Sequence, residues 1–97
     1  MHRDEALLIL SEASHEIAQR FGVKRMRLFG STARNEARLD SDVDILVEFE
    51  GPATFDSYFD LLHFLEARLG VGVDLVTEKG LKERVRPYVE KDAIHVT

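Results

Sequence analysis

The spacing of apolar residues predicts two amphipathic helices. Through the first twenty or so positions they recur at steps of three and four, which is the spacing of one helix face, at Ala6, Leu10, Ala13, Ile17 and Phe21. Gly22 is the expected stop of this helix. A second helix is predicted from Phe55 to Gly70, with an apolar face formed by Phe55, Phe59, Leu62, Leu65 and Leu69.

Strand patterns lie between these helices. Val23 to Phe29 alternates basic and apolar side chains, so we expect a short strand that leads directly into Gly30-Ser31. The clearest alternation begins at Asp42 and ends at Gly51-Pro52. One face of this strand carries Val43, Ile45, Val47 and Phe49, and the other carries Asp42, Asp44, Leu46 and Glu48. Val71 to Val76 predicts a third strand.

The remaining segments carry weaker signals. Thr32 to Ala37 predicts one or two helical turns, and Ala93 to Val96 a short closing strand. A last helix is expected over Leu81 to Tyr88, although Pro87 cannot donate a backbone hydrogen bond there. The alternation of elements predicts an α/β or α+β fold, a mixed sheet packed against helices in one domain over residues 1–97. The pattern leaves the strand order open.

Composition narrows the possible chemistry. The chain has no cysteine, which excludes disulfides and thiolate metal sites. It has no apolar run near the roughly 20 residues that cross a bilayer and no signal-peptide pattern, so we expect a cytoplasmic protein without membrane contact. Its formal charge of −5 argues against an extended nucleic-acid surface.

Charge is distributed unevenly along the chain. Lys24 to Arg38 holds five bases against Glu36, whereas Leu39 to Asp60 holds seven acids and no base. Solvated surface accounts for most of these residues. The two blocks meet at a pair of aspartates for which we expect a different role.

Asp42 and Asp44 are two residues apart on a predicted strand, so their carboxylates emerge on the same face. Divalent cations would relieve the repulsion between them, and Mg²⁺ prefers carboxylate oxygens supplemented by substrate phosphates. Two such ions can stabilise both the attacking and the leaving oxygen of a displacement at phosphorus. Alone, Asp-x-Asp is a common accident in acidic proteins, but here the strand's other face is fully apolar.

Gly30-Ser31 lies where a strand gives way to a helical turn, a place where free backbone N–H groups favour an anion. Glycine permits close approach, and the Ser31 hydroxyl could bind a phosphate oxygen. Arg34, one turn later, could add a charged hydrogen bond. Without the aspartates, Gly-Ser would indicate only a turn.

Asp74 is the candidate third carboxylate, because it stands between Val73 and Leu75 on a predicted strand, where an acid is costly without a partner or a metal. The alternative is an edge strand whose outer face is wet. Glu48 could also reach the cleft, although solvation is the simpler explanation for it.

Together these residues resemble the signature of the polymerase β nucleotidyltransferase superfamily, in which Gly-Ser and Asp-x-Asp are separated by ten residues. The segments from Leu28 to Ala37 and from Ser41 to Phe49 closely resemble the minimal nucleotidyltransferases that act as antitoxins beside HEPN-domain ribonuclease toxins. Val73 to Val76 resembles the family's third-carboxylate strand, and Asp92 to Val96 its C-terminal end. The resemblance covers nearly the whole chain.

The resemblance implies a small polymerase β-like nucleotidyltransferase fold and a set of roles. Gly30 and Ser31 would hold a nucleoside triphosphate, Asp42 and Asp44 would bind two Mg²⁺ ions, and Asp74 would assist metal binding or act as general base. ATP would donate AMP to a hydroxyl of the HEPN toxin, a tyrosine by the same resemblance, within a hetero-oligomer. Asn35 departs from the family, since many relatives carry Gly there, but Asn tolerates a left-handed backbone.

Three matters stay open in the sequence. Phe55, Tyr58 and Phe59 suit either a docking surface or the core, and burial is the simpler interpretation. The four histidines lack metal-ligand spacing. Besides an enzyme that modifies a protein, the chain could be a module that neutralises its partner by binding alone, or an enzyme that modifies a small molecule.

Overall fold

The computed structural model describes residues 1–96. Thr97, the last residue of the predicted domain, lies outside this range. The elements follow one another along the chain as α1 (Arg3–Phe21), β1 (Val23–Phe29), α2 (Gly30–Ala33), β2 (Val43–Phe49), α3 (Phe55–Leu69), β3 (Val73–Thr77), α4 (Arg86–Asp92) and β4 (Ile94–His95). No helix in residues 1–96 is both long and apolar enough to span a membrane.

The strands form one mixed sheet in the order β3-β2-β1-β4. β1 runs antiparallel to both β2 and β4, whereas β2 and β3 are parallel and are joined through α3. Two parallel strands need such a crossover, because a tight turn would leave the second strand antiparallel to the first. The sheet confirms the predicted α+β fold and supplies the strand order that the pattern left open.

One face of the sheet carries the main core. α1 and α3 pack on this face, and the strand residues that point toward them are buried. Each large apolar side chain removed from water contributes roughly 1.5 to 3 kcal/mol before the entropy cost of ordering it. The alternating strand positions in this core are Met26, Leu28, Val43, Ile45, Val47, Val73 and Leu75.

α4 partly covers the opposite face, where Leu46 and Val89 are buried outside the main core. The start of α4 is held by Glu78, whose carboxylate accepts hydrogen bonds from Arg86 at 2.7 Å and from Arg27 at 2.9 Å. Burial of Glu78 raises the pKa of its carboxyl, but the two guanidinium groups outweigh burial and hold that pKa below its usual value. Leu46 thus lies on the predicted polar face but is shielded from water.

α3 protects the free edge of the sheet. Glu66 accepts a hydrogen bond from the Val73 N–H at 3.2 Å, and the Tyr58 hydroxyl donates to the Leu75 carbonyl. Both backbone groups belong to β3, the edge strand, and unpaired edges are prone to join another chain. A capping box between Thr54 and Ser57 closes the start of the same helix.

Glycine stops were predicted correctly, whereas several element bounds were wrong. Gly22 and Gly70 end α1 and α3 in the left-handed conformation, at φ 66° and φ 72°. The helical turns expected over Thr32 to Ala37 form instead at Gly30–Ala33. The last helix begins at Arg86 rather than Leu81, because Pro87 in the first turn costs no hydrogen bond.

The prediction for the buried face of α3 was wrong in part. Leu61, Leu65 and Leu69 face the core, whereas Phe55 is 79% exposed and Phe59 is 37% exposed. The helix carries two overlapping apolar stripes, and spacing alone does not decide which of them meets the sheet. Tyr58, whose hydroxyl donates a hydrogen bond to β3, lies on the same side of α3 as the buried stripe.

Thr32 has a side chain that is 0% exposed, and its hydroxyl has no hydrogen-bond partner among the described residues. A buried unpaired hydroxyl costs about 1 to 3 kcal/mol. We therefore expect Thr32→Val, which keeps the shape, to raise the free energy of unfolding by about 1 kcal/mol in urea denaturation. Thr32→Ala is the control and should lower that free energy, because it also removes the buried methyl. A less stable valine variant would mean that the hydroxyl has a partner.

Candidate active site

The turn after β1 brings backbone against a carboxylate. Gly30 has φ +73°, and a Cβ at this position would lie 2.1 Å from Oδ2 of Asp44. Both facts disfavour a larger residue, because this φ is strained for L residues and the Asp44 carboxylate would have to move. Ser31 follows in the first turn of α2 and is half-buried. The predicted pair Gly30-Ser31 therefore lies beside the predicted Asp44.

The sheet register brings the predicted acids together. Asp44 on β2 is paired with Phe29 on β1 and with Asp74 on β3, so two carboxylates stand side by side on parallel strands. Asp42 precedes β2 and is exposed, as is Asp74. Asp74 thus lies exposed on β3, an edge strand, as its alternative interpretation expected, and its role as third carboxylate stays a prediction.

Asp44 has a strongly perturbed ionisation. Burial, the charge of Asp74 with a hydrogen bond to it, and the charge of Asp42 together raise the pKa of Asp44 to about 6, against a weaker opposing effect of Arg34. A carboxyl that is half-buried among other acids resists ionisation. The cluster therefore carries unfavourable negative charge that a cation would relieve.

Arg34 stands at the end of α2 and is engaged by acids. Its guanidinium donates to Asp92 at 2.7 Å and to Glu36 at 3.3 Å, and these hydrogen bonds raise its pKa above the usual value. Asp92 was not predicted as part of this region. It lies at the end of α4, and the chain contains nothing between the two positions that would indicate their contact.

Asn35 takes the left-handed conformation expected for it, with φ 59°. Its side chain also has a structural partner, because Oδ1 accepts a hydrogen bond from the Arg3 N–H at 3.1 Å. This N–H is one of the free donors in the first turn of α1, whose N-cap residue His2 supplies no side-chain bond. Asn35, where many relatives carry Gly, therefore links α1 to the turn after α2 through this hydrogen bond.

The other candidate groups lie apart from the acid cluster. Glu48 forms an ion pair with Arg25 at 3.0 Å. The four histidines are exposed, and residues 1–96 contain no ready-made group of three or more His, Asp or Glu side chains that could hold a metal ion. Tyr58 lies nearer the acids, since burial and the charge of Asp74 both raise the pKa of its hydroxyl.

The acid cluster lies outside the two best-formed cavities. One, of about 420 Å³, is lined by residues at the far ends of β2 and β3, such as Phe49 and Thr77, and by Arg86 at the start of α4. The other, of about 700 Å³, lies between α1 and α3. The predicted site residues line neither, so Asp42, Asp44 and Asp74 stand on an open surface of the sheet.

The three aspartates supply the type of donor that a hard divalent cation uses, although they do not form a ready-made set of ligands among residues 1–96. Carboxylate oxygens are the ligands that Mg²⁺ uses, and it commonly takes its remaining ligands from water and substrate phosphates rather than from a complete protein cage. Gly30 places the backbone at the start of α2 against Asp44, and the first N–H groups of a helix favour an anion such as a phosphate. These features together suit chemistry at a phosphorus atom.

Comparisons with known proteins identify the family of the chain. A family model described as nucleotidyltransferase domain matches residues 10–95. The chain is 41% identical over 93 residues to the protein adenylyltransferase MntA of Thermococcus cleftensis, covering 96% of this chain and 94% of that protein. A solved structure described as a candidate minimal nucleotidyltransferase has a TM-score of 0.81 and 46% identity, covering 97% of this chain and 95% of that one.

A more distant structure shares the fold. A chain of the tri-AMPylated Shewanella oneidensis HEPN toxin in complex with MNT antitoxin has a TM-score of 0.69 and 17% identity, covering 94% of this chain and 71% of that one. The predicted minimal nucleotidyltransferase fold is therefore confirmed.

The raised pKa of Asp44 predicts a pH-dependent stability in metal-free protein. Between its ordinary value of 3.8 and about 6, the folded state holds the proton more tightly than the unfolded chain, so the free energy of unfolding falls as pH rises through this range. Asp44→Asn removes the penalty. In urea denaturation with a chelator, we expect the variant to be more stable than the wild type above pH 6, with an advantage that shrinks toward pH 4. Asp40→Asn, at an exposed acid, should show no such trend, and a pH-independent advantage of Asp44→Asn would contradict the prediction.

Proposed function

Because the chain belongs to the nucleotidyltransferase domain family, we propose that it transfers AMP from ATP to a hydroxyl group of a partner protein. The proposed partner is a HEPN-domain ribonuclease toxin, the acceptor a tyrosine, and the outcome an inactivated toxin held in a hetero-oligomer in the cytoplasm. The name of the Thermococcus relative supports protein adenylyl transfer. The AMPylated toxin bound to an antitoxin of this fold supports the choice of partner.

The observation that carries the proposal is the contact between Gly30 and Asp44. It brings backbone without a side chain to the carboxylate with the raised pKa, beside Asp74 on the next strand. This arrangement suits a triphosphate, because N–H groups at the start of α2 can bind its oxygens while cations held by the acids would neutralise its charge. In this proposal Gly30 and Ser31 hold the triphosphate.

Asp42, Asp44 and Asp74 would hold Mg²⁺, with two ions expected. When bound, such ions neutralise phosphate charge and stabilise the attacking and leaving oxygens of an in-line displacement. The acceptor oxygen attacks the α-phosphorus of ATP, the bond from that phosphorus to the bridging oxygen breaks, and pyrophosphate leaves. The hydroxyl proton passes to a carboxylate. Asp74 is the proposed acceptor of this proton because it is exposed beside Asp44.

The acceptor side of the site is open, which favours a protein substrate. Asp42 and Asp74 are exposed, and the loop before Asp42 carries Leu39, which is 100% exposed. An open acid cluster leaves room for a partner surface to exclude water when it docks. Transfer to a small molecule is the second candidate for an enzyme, and neutralisation by binding alone is the non-catalytic one.

A labelling experiment distinguishes these functions. We expect α-labelled ATP and Mg²⁺ to label the partner protein in the presence of the wild type, and labelling to fall by more than about a hundredfold in the Asp42→Ala, Asp44→Ala double variant. Asp40→Ala is the matched control and should label normally, because this exposed acid lies outside the cluster. Label on a non-protein product would support the small-molecule alternative. Absent labelling, with toxin inhibition intact in the double variant, would sink the enzymatic proposal.

Arg34 should contribute to nucleotide binding. It lies one turn after Gly30-Ser31, and its charge reaches Asp44. We expect Arg34→Ala to weaken ATP binding by about tenfold, the loss of one charge-assisted hydrogen bond, in isothermal titration. Arg38→Ala removes an exposed arginine of the same segment and should leave the affinity unchanged. Equal affinities of both variants would remove Arg34 from the proposed site.

A further inference from the structure

Gly72 lies against the carboxylate of Asp42. A Cβ built at Gly72 would be 2.5 Å from Oδ1 and 3.3 Å from Cγ of Asp42. Unlike the left-handed glycines at positions 22, 30 and 70, Gly72 has a backbone conformation that any residue adopts. The backbone therefore does not require glycine here. A side chain at position 72 would instead displace the Asp42 carboxylate from the space it occupies.

The backbone of Gly72 is also joined to the strand that carries the acids. Its carbonyl accepts a hydrogen bond at 2.9 Å from the N–H of Val43, the residue after Asp42. Movement of Gly72 would therefore move the start of β2. The Asp42 carboxylate and the N–H of the next residue, Val43, therefore both contact Gly72.

Gly72 has a counterpart on the other side of β2. Gly30 follows β1 and leaves space for Asp44, whereas Gly72 precedes β3 and leaves space for Asp42. β1 and β3 are the two neighbours of β2 in the sheet. Each carboxylate of the Asp42-x-Asp44 pair thus occupies the space that a side chain would fill at a glycine adjoining a different neighbour strand.

We propose that Gly72 is a positioning residue for divalent-cation binding, because its lack of a side chain leaves the space that the Asp42 carboxylate occupies. The inference rests on the proposed function in assigning a cation to these acids. It adds a residue on β3's side of the cluster that acts through Asp42 and touches no substrate. The methyl group introduced by Gly72→Ala would displace the Asp42 carboxylate from this space.

Titration of metal-chelated protein with Mn²⁺ tests the proposal without ATP or a partner. We expect Gly72→Ala to weaken Mn²⁺ binding by about tenfold, the range found when a group that orients a metal ligand is changed. Gly51→Ala is the matched control: a Cβ there meets nothing within 4 Å and the backbone is not left-handed. It should bind Mn²⁺ as the wild type does. Wild-type affinity in Gly72→Ala would overturn the proposal.

A double-mutant cycle separates positioning from a general structural role. In the Asp42→Ala background the obstructed carboxylate is gone, so Gly72→Ala should cause no further loss of Mn²⁺ affinity. An equal tenfold loss in both backgrounds would show that Gly72 acts elsewhere and would overturn the proposal. If Gly72→Ala alone fails to fold, the double variant must recover a cooperative thermal transition, and failure to recover it would also overturn the proposal. If the Mn²⁺ titrations give the expected result but AMP transfer is absent, the proposed function is contradicted and the role of Gly72 is not.

Discussion

The crowding of carboxylates at one end of β2 is the constraint on which the rest of the structure depends. Asp44 is half-buried, and burial together with the charges of Asp74 and Asp42 raises its pKa to about 6. Electrostatic repulsion would separate these carboxylates if nothing else held them together. They stay together because β2 and β3 are held in parallel register by a core on the opposite face, where Val43, Ile45 and their neighbours are excluded from water.

The open face of the sheet is kept in shape by ion pairs rather than by a second core. α4 crosses part of this face, held at its start by the bonds of Glu78 to two arginines and at its end by Asp92 on Arg34. These contacts leave the acid end of β2 uncovered. The arrangement suits a site that a nucleotide and a partner surface complete, because a small domain has little apolar surface left with which to enclose one.

The local sequence predicted the backbone conformation correctly where a single residue type favours that conformation. Gly22 and Gly70 end helices at positive φ, and Asn35 takes the left-handed turn expected of it. Alternation along β2 correctly separated the apolar face from the acids. The face of α3 and the start of α4 were wrong, because an apolar stripe and a proline each allow two placements and only packing against the sheet selects one.

The sequence by itself determined where most of the helices and strands form and singled out the acid pair, since periodicity and side-chain type are local properties. The three carboxylates, Gly30 and Ser31 were all named from it, and their proposed roles follow from family resemblance. Only the tertiary structure decided that Gly72 meets Asp42 and that Asp92 meets Arg34. Both contacts join segments far apart in the chain, and their distances depend on strand order and helix placement, which no local pattern specifies.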